Sequence, residues 1–170
     1  MSRVESSPRP AGVSTVEVPM TPERIGTSLK DAIRSEDRPV AVVIGDEAAK
    51  AVADHLSADY DVTLLTDDRG VVKSAESTGL DAHHVDPTRG SVLKDHAADA
   101  DAAVVSASRD RETLLATQLL RHGCGVDCVA VLVNDPDNRH LFRDLDVDLL
   151  DAQTLLAPEV ERAFAGSIRE

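Results

Sequence analysis

Short apolar runs alternate with longer amphipathic stretches from residue 40 to residue 164 of the 170-residue chain. The runs have the lengths of strands, and the uninterrupted VAVVIG at residues 40–45 is typical of a strand that is buried on both faces. The stretches between the runs carry apolar residues at helical spacing. This alternation predicts βαβ units that build a parallel sheet.

Strands are predicted over residues 40–45, 61–65, 81–85, 101–107, 126–133 and 147–150. Helices are predicted over residues 46–57, 71–78, 88–98, 110–122, 136–145 and 154–164. Because crossovers between parallel strands are almost always right-handed, this succession predicts a doubly wound, Rossmann-like α/β sheet in the strand order 3-2-1-4-5-6. In such a sheet, ligands bind at the carboxyl ends of the strands, where the first and fourth strands lie side by side.

The chain ahead of the sheet divides into two parts. Its first 20 residues are rich in Ser, Pro and charge without sustained periodicity, which predicts a disordered tail. After a Thr-Pro helix start signal, Ile25, Leu29 and Ile33 recur every four residues, which predicts a helix that covers one flank of the sheet or meets a second copy. The predicted units are a tail over residues 1–20, a helix (21–34) and linker over 21–38, and a Rossmann-like domain over 39–166.

Acidic residues outnumber basic ones 31 to 18, so the formal net charge is −13. Binding to nucleic acid or to an anionic membrane surface needs clustered Lys and Arg, so this balance argues against both. Asp outnumbers Glu 21 to 10, and only 4 of the 18 basic residues are Lys. This composition is typical of proteins from salt-loaded halophile cytoplasm, and an ordinary acidic cytosolic domain is the alternative.

No segment approaches the ~20 apolar residues of a membrane-spanning helix, and MSRVESSPRP lacks the apolar core of a signal peptide. We therefore expect a cytoplasmic protein that does not insert into a membrane. Cys124 and Cys128 lie near His122 but lack a second pair of metal ligands, so we expect buried or half-buried free thiols at a helix-to-strand turn and no metal site.

The corner after the first predicted strand, Gly45-Asp46-Glu47, is the place for a phosphate-binding loop. A dinucleotide fingerprint G-x-G-x-x-G would put glycines at positions 45, 47 and 50, and only Gly45 is present. Glu47 puts a carboxylate where a phosphate would rest on the helix N-terminus, which causes repulsion. The corner is either a weakened pyrophosphate site or a tight structural turn whose acids favour the helix dipole.

The second and third corners offer polar groups at the same edge of the sheet. Thr66, Asp67 and Asp68 stand about twenty residues after the first glycine, where a ribose diol is usually held. In a chain with 21 Asp residues, an acidic pair in a loop is also close to chance expectation. Asp86 and Thr88 follow the third strand, where they either cap the next helix or meet an adenine edge.

The fourth corner, Ser106-Ala107-Ser108-Arg109, lies at the switch point itself. Its hydroxyls and its Arg side chain suit either an anion or the cap of the next helix. The six His residues are scattered and stand in no spacing typical of a catalytic triad or of a zinc protease. We therefore assign no catalytic residue.

Three strings in the chain resemble a known family. VDPTRGSVL at residues 85–93 resembles GDATDPEVL, and DAAVVSASRDRETLLAT at residues 101–117 resembles DAVVVATGDDEANLLAA. The most specific string is VNDPDNRHLFRDLDVD at residues 133–148, which follows the pattern VNDPxNxxLFxxLxVD. From about residue 40 to residue 163, the chain is similar to the TrkA-N nucleotide-binding domain, the regulatory (RCK) domain of potassium channels and transporters.

This resemblance implies a Rossmann domain that binds NAD(H), ATP or a related adenine nucleotide and links that binding to potassium transport. It also implies a homodimer and a potassium transporter or channel subunit as a partner. The alternative is an NAD(P)-dependent oxidoreductase or another Rossmann enzyme, which would need an intact phosphate turn. By position, the resemblance places the phosphate loop at Gly45, Asp46 and Glu47, the ribose contact at Thr66 or Asp67, the adenine-side contacts at Asp86 and Thr88, and the pyrophosphate lining at Ser106, Ala107 and Ser108.

Overall fold

Six parallel strands form one sheet in the order β3-β2-β1-β4-β5-β6 in the computed structural model, which describes residues 38–167. This confirms the predicted Rossmann-like fold and strand order. The strands are β1 (Val40–Gly45), β2 (Asp61–Thr66), β3 (Asp81–His84), β4 (Ala102–Ser106), β5 (Cys128–Val133) and β6 (Asp148–Asp151). Each strand lies within two residues of its predicted bounds. The predicted tail and the helix predicted over residues 21–34 lie outside the described residues.

Helices connect the strands on both faces of the sheet. The α-helices are α1 (Glu47–Leu56), α2 (Arg69–Ser77), α3 (Gly90–Ala97), α4 (Asp110–Gln118) and α5 (Ala152–Ser167). A π-helical turn (Leu119–Cys124) follows α4, and a 3-10 helix (Pro136–Leu145) joins β5 to β6.

The helix predicted over residues 110–122 is present, but beyond Gln118 it continues as the π-helical turn and not as an α-helix. In this turn the Arg121 guanidinium donates hydrogen bonds to the carbonyl oxygens of Leu145 (3.1 Å), Val126 (3.0 Å) and Asp127 (2.9 Å). Because Val126 and Asp127 are engaged by Arg121, β5 begins two residues later than predicted.

Successive residues of β1 enter two separate apolar cores, as a strand buried on both faces requires. Ala41 and Val43 pack with α1 and α2 over β1, β2 and β3. Val42 and Ile44 belong to the larger core on the other face, which contains Leu120 and Phe142. The two cores hold β1 at the centre of the sheet, and the loops that follow the strands meet at its carboxyl edge.

Candidate functional site

The carboxyl edge of the sheet brings the predicted site residues together in the order of their strands. Gly45 at the end of β1 stands opposite Ser106 at the end of β4, and Ile44 stands opposite Leu65 on the other side. Neighbouring strands lie about 4.8 Å apart. Thr66, Gly45 and Ser106 therefore end three adjacent strands, and the crevice between their loops is the predicted ligand site.

Gly45 makes the closest backbone approach at this edge. Its φ is +149°, and a Cβ added there would lie 2.0 Å from the carbonyl oxygen of Ser106 and 2.8 Å from the Cβ of Ala49. No side chain can occupy that space, because its three nearest atoms are two backbone atoms of Ser106 and the Cβ of the buried Ala49. Gly45 thus lets the turn from β1 into α1 lie directly against β4.

The N-terminus of α1 is flanked by acids. The Asp46 carboxylate caps the helix by accepting a hydrogen bond from the backbone N–H of Ala48 (3.2 Å), and Glu47 is exposed in the first turn. Lys50, at the position of the third fingerprint glycine, donates to Asp54 at 2.8 Å. That hydrogen bond is the main reason why the pKa of Asp54 is lowered. Residue 46, predicted as the start of the helix, is therefore its cap.

The corner after β2 is organised by its own side chains. The buried Thr66 hydroxyl accepts the backbone N–H of Asp68 (3.2 Å), and the Asp68 carboxylate caps α2 through the N–H groups of Gly70 (2.7 Å) and Val71 (3.3 Å). Asp67 is exposed at the rim of the crevice. Of the two predicted ribose positions, Asp67 presents its side chain to solvent, whereas the Thr66 hydroxyl is hydrogen-bonded within the turn.

Asp86 and Thr88 form a local turn beyond β3. The Asp86 carboxylate accepts hydrogen bonds from the Thr88 hydroxyl (2.5 Å) and from its backbone N–H (2.9 Å). These two bonds, the hydroxyl first, lower the pKa of Asp86. Because β2 lies between β3 and β1, this turn stands about 10 Å from the end of β1. The structure places both residues at the carboxyl edge, at the far end of the crevice from Ser106.

The corner after β4 combines buried and exposed groups. Ser106 is buried, the Ala107 carbonyl accepts a hydrogen bond from the side-chain amide of Asn134 (2.8 Å), and Ser108 is exposed. The exposed Arg109 guanidinium donates to Glu112 at 2.9 Å. This loop thus has a fixed backbone and a basic rim residue beside the crevice.

Asp110 is a buried carboxylate that the sequence interpretation missed. It accepts hydrogen bonds from the backbone and side chain of Asn134 (2.9 and 3.1 Å), from the backbone N–H of Asp135 (3.0 Å) and from the Asn138 amide (2.8 Å). Burial alone would raise the pKa of Asp110, yet these hydrogen bonds outweigh it and the pKa is lowered. An ionised Asp110 therefore clamps the loop after β5 to the start of α4.

The signal for this clamp was present in two separate strings. Asp110 stands in DAAVVSASRD and its donors stand in VNDPDN, which follow two neighbouring strands. Parallel strands bring their following loops to one edge, so the two strings meet in space. We refer to Asp110, Asn134, Asp135 and Asn138 as the Asp110 clamp.

We also searched the described residues for metal-ligand clusters, paired histidines and membrane-spanning helices. Among residues 38–167, no group of three or more His, Cys, Asp or Glu side chains is arranged to hold a metal ion. The His83 and His96 rings lie 4.6 Å apart, on β3 and α3. None of the described helices is long and apolar enough to cross a membrane.

Comparison with known proteins places this geometry in a family. The TrkA-N domain model matches residues 24–150. The fold resembles the NAD(P)-binding domain of an exopolyphosphatase-related protein from Archaeoglobus fulgidus, with 25% identity, a TM-score of 0.61, and coverage of 76% of this chain and 96% of that one. It also resembles the TrkA-N domain of the inner membrane protein ybaL from Escherichia coli, with 10% identity, a TM-score of 0.64, and coverage of 76% and 98%.

A third similar structure is the GsuK channel bound to NAD, with 16% identity and a TM-score of 0.57. That match covers 68% of this chain and 22% of the channel chain, so the likeness concerns one domain of a larger protein. A comparison with curated protein sequences finds no match.

Proposed function

Because the chain belongs to the TrkA-N domain family, we propose that it is a regulatory domain that binds an adenine nucleotide, with NAD(H) as the first candidate, at the carboxyl edge between β1 and β4. The observation that carries this proposal is the contact of Gly45 with the Ser106 carbonyl, which keeps the β1-to-α1 turn against β4. This is the position at which doubly wound sheets bind dinucleotides. The NAD(P)-binding domain from Archaeoglobus fulgidus, which shares this fold, supports the choice of ligand.

The acids at the start of α1 predict weak binding. A pyrophosphate on this helix would lie beside the Asp46 carboxylate, which already occupies the Ala48 N–H, and beside the exposed Glu47. Both charges repel a phosphate in the place where free N–H groups usually attract it. The net charge of −13 adds a repulsion that salt screens.

In the proposed role, the nucleotide acts by changing contacts with another protein. A ligand shifts a conformational or assembly equilibrium only if it binds the two states with different affinity. We propose a second copy of the chain and a potassium transporter or channel subunit as the partners, in the cytoplasm. The GsuK channel, which shares the fold, supports a channel subunit as the partner.

We propose binding without catalysis. Four carboxylates in the loops and helix starts along this edge, Asp46, Asp68, Asp86 and Asp110, accept hydrogen bonds from backbone N–H groups. Groups engaged in this way hold loops in place and are poorly suited to exchange protons with a substrate. Sustained oxidation of NADH or NADPH with a small carbonyl substrate would contradict this part of the proposal.

The test is an isothermal titration of the chain with NAD, NADH, ATP and ADP in concentrated KCl. We expect at least one of them to bind with a Kd on the order of 0.1–1 mM, in the range of weak but specific ligands. The absence of binding by all four would remove the nucleotide from the proposed function.

Glu47→Gln should tighten nucleotide binding about two- to fivefold at low salt, because it removes a negative charge from the first turn of α1. The matched control is Asp59→Asn, which removes one charge from an exposed residue in the loop before β2, at the opposite edge of the sheet. The gain should shrink as KCl rises. Equal gains in affinity in both variants would show that the overall net charge of the chain controls nucleotide binding, and would contradict phosphate binding at α1.

A further inference from the structure

An apolar groove crosses the sheet face that lies over β4, β5 and β6, between α1 and α5. Its volume is about 460 Å³. Leu132 of β5 is half-buried in it, whereas its neighbours Val131 and Val133, which point to the opposite face, are fully buried. We call this surface the open groove. Its lining includes Val52, Val104, Ala130, Leu132, Leu155 and Leu156.

Helix α5 extends the apolar surface beside the open groove. Leu155, Leu156, Val160 and Phe164 are 52%, 61%, 52% and 63% exposed. Contiguous apolar surface of this kind marks a place where another segment or protein packs. Among the described residues nothing covers it, and the chain outside them includes the 37 residues that precede Arg38.

The chain enters the domain at one end of the open groove. The Arg38 guanidinium donates hydrogen bonds to the carbonyl oxygens of Ser57 (2.5 Å) and Tyr60 (3.0 Å). Tyr60 itself lines the groove. Residue 34 is four residues before Arg38, and an extended chain of that length reaches about 14 Å. A segment that ends at residue 34 can therefore reach the groove.

The apolar stripe predicted over residues 21–34 is comparable in length to the strand β4 that lies beneath the groove. As a helix, it would space Ile25 and Ile33 about 12 Å apart. The five residues of β4 span about 16 Å. A helix that ends at the amino edge beside Arg38 would run antiparallel to β4, as helices in α/β sheets do.

Charge favours the same arrangement. Residues 21–34 contain three basic and two acidic residues, in a chain whose net charge is −13. Asp101 and Asp127 are exposed at the amino edge, immediately before β4 and β5, and Asp148 lines the groove. A segment with net charge +1 is attracted to this edge, where Arg34 would arrive next to these carboxylates.

We propose that residues 21–34 dock as a helix in the open groove of their own chain, with Ile25, Leu29 and Ile33 against β4 and β5. In this arrangement the groove is part of the domain's core. The groove reaches Ala48 and Ser106 at the carboxyl edge, but docking is tested at Tyr60 on the amino edge, so the failure of one proposal can be distinguished from the failure of the other.

Tyr60 provides the readout, because it is the chain's only Tyr and the chain has no Trp. In the full chain, Ile33→Glu should raise acrylamide quenching of Tyr60 emission about twofold, since water and quencher then reach the ring. Thr27→Glu, on the opposite side of the predicted helix, is the matched control and should leave quenching unchanged. Equal quenching in wild type, Ile33→Glu and Thr27→Glu would overturn the proposal.

Two nuclear magnetic resonance measurements test the docking without relying on a variant. In the wild-type chain, nuclear Overhauser contacts should join the Tyr60 ring to methyl groups of Leu29 or Ile33, which needs no variant to fold. A mixture of labelled and unlabelled chains separates contacts within one chain from contacts between two. Two results would show that a second copy occupies the groove and would overturn the proposal. One is nuclear Overhauser contacts found only between chains. The other is protection of Tyr60 from acrylamide that rises with protein concentration in parallel with dimer formation in sedimentation.

Discussion

Replacing Gly45 by alanine should cost about 4 kcal/mol or more of unfolding free energy, enough to leave little folded protein. The new Cβ would stand 2.0 Å from the Ser106 carbonyl oxygen, in a backbone conformation with φ of +149° that L-residues avoid. Neither side of the clash can relax cheaply, because the atoms it meets are the backbone of β4. Urea unfolding followed by circular dichroism measures the effect.

Gly123→Ala is the matched control for this substitution. A Cβ at Gly123 meets nothing within 4 Å. Its unfolding free energy should match that of wild type or exceed it by up to about 1 kcal/mol, because alanine restricts the unfolded chain. If Gly45→Ala is as stable as Gly123→Ala, then β1 and β4 do not approach each other as described, and the crevice between their loops has a different shape.

Asp110→Asn should cost about 3 kcal/mol of unfolding free energy and loosen the loop after β5. The carboxylate accepts four hydrogen bonds from Asn134, Asp135 and Asn138. An Asn side chain offers one oxygen and turns an N–H₂ group toward donors. Asp68→Asn, which changes a cap of α2, should stay within about 0.5 kcal/mol of wild type, because Asn caps helices as well as Asp does.

Acid should reduce the difference between wild type and Asp110→Asn. The pKa of Asp110 is lowered in the folded chain, so its ionised form stabilises the fold above the pKa of the unfolded chain. That contribution is lost as the pH falls through the lower pKa of the folded state. A stability difference that stays constant through this acid range would show that the carboxylate's charge plays no part in the clamp.

The fold could be predicted from the sequence because the pattern of apolar residues in each strand reflects which of its faces are buried. The run VAVVIG is apolar at every position since both faces of β1 are covered, and right-handed crossovers leave few strand orders to choose from. Strand ends were predicted within two residues. The π-helical turn was not predicted, and one of the contacts in it joins Arg121 to the carbonyl oxygen of Leu145, which lies 24 residues away along the chain.

The candidate site was predicted less completely than the fold. The corners that carry Gly45, Thr66 and Ser106 do meet at one edge, as their place after parallel strands requires. The sequence could not show that Asp46 and Asp68 cap helices, since a capping acid and a ligand-binding acid have the same local pattern. Asp110 was missed because its donors lie 24 to 28 residues away along the chain.

A nucleotide at the β1–β4 edge can be located directly by following backbone amide shifts of the labelled chain during a titration with NADH in concentrated KCl. We predict saturable shifts that are largest at Gly45, Glu47, Asp67 and Ser108, with small changes on the amino edge around Tyr60. Shifts that cluster away from the carboxyl edge, or spectra that remain unchanged up to millimolar NADH, NAD, ATP and ADP, would contradict the proposed site.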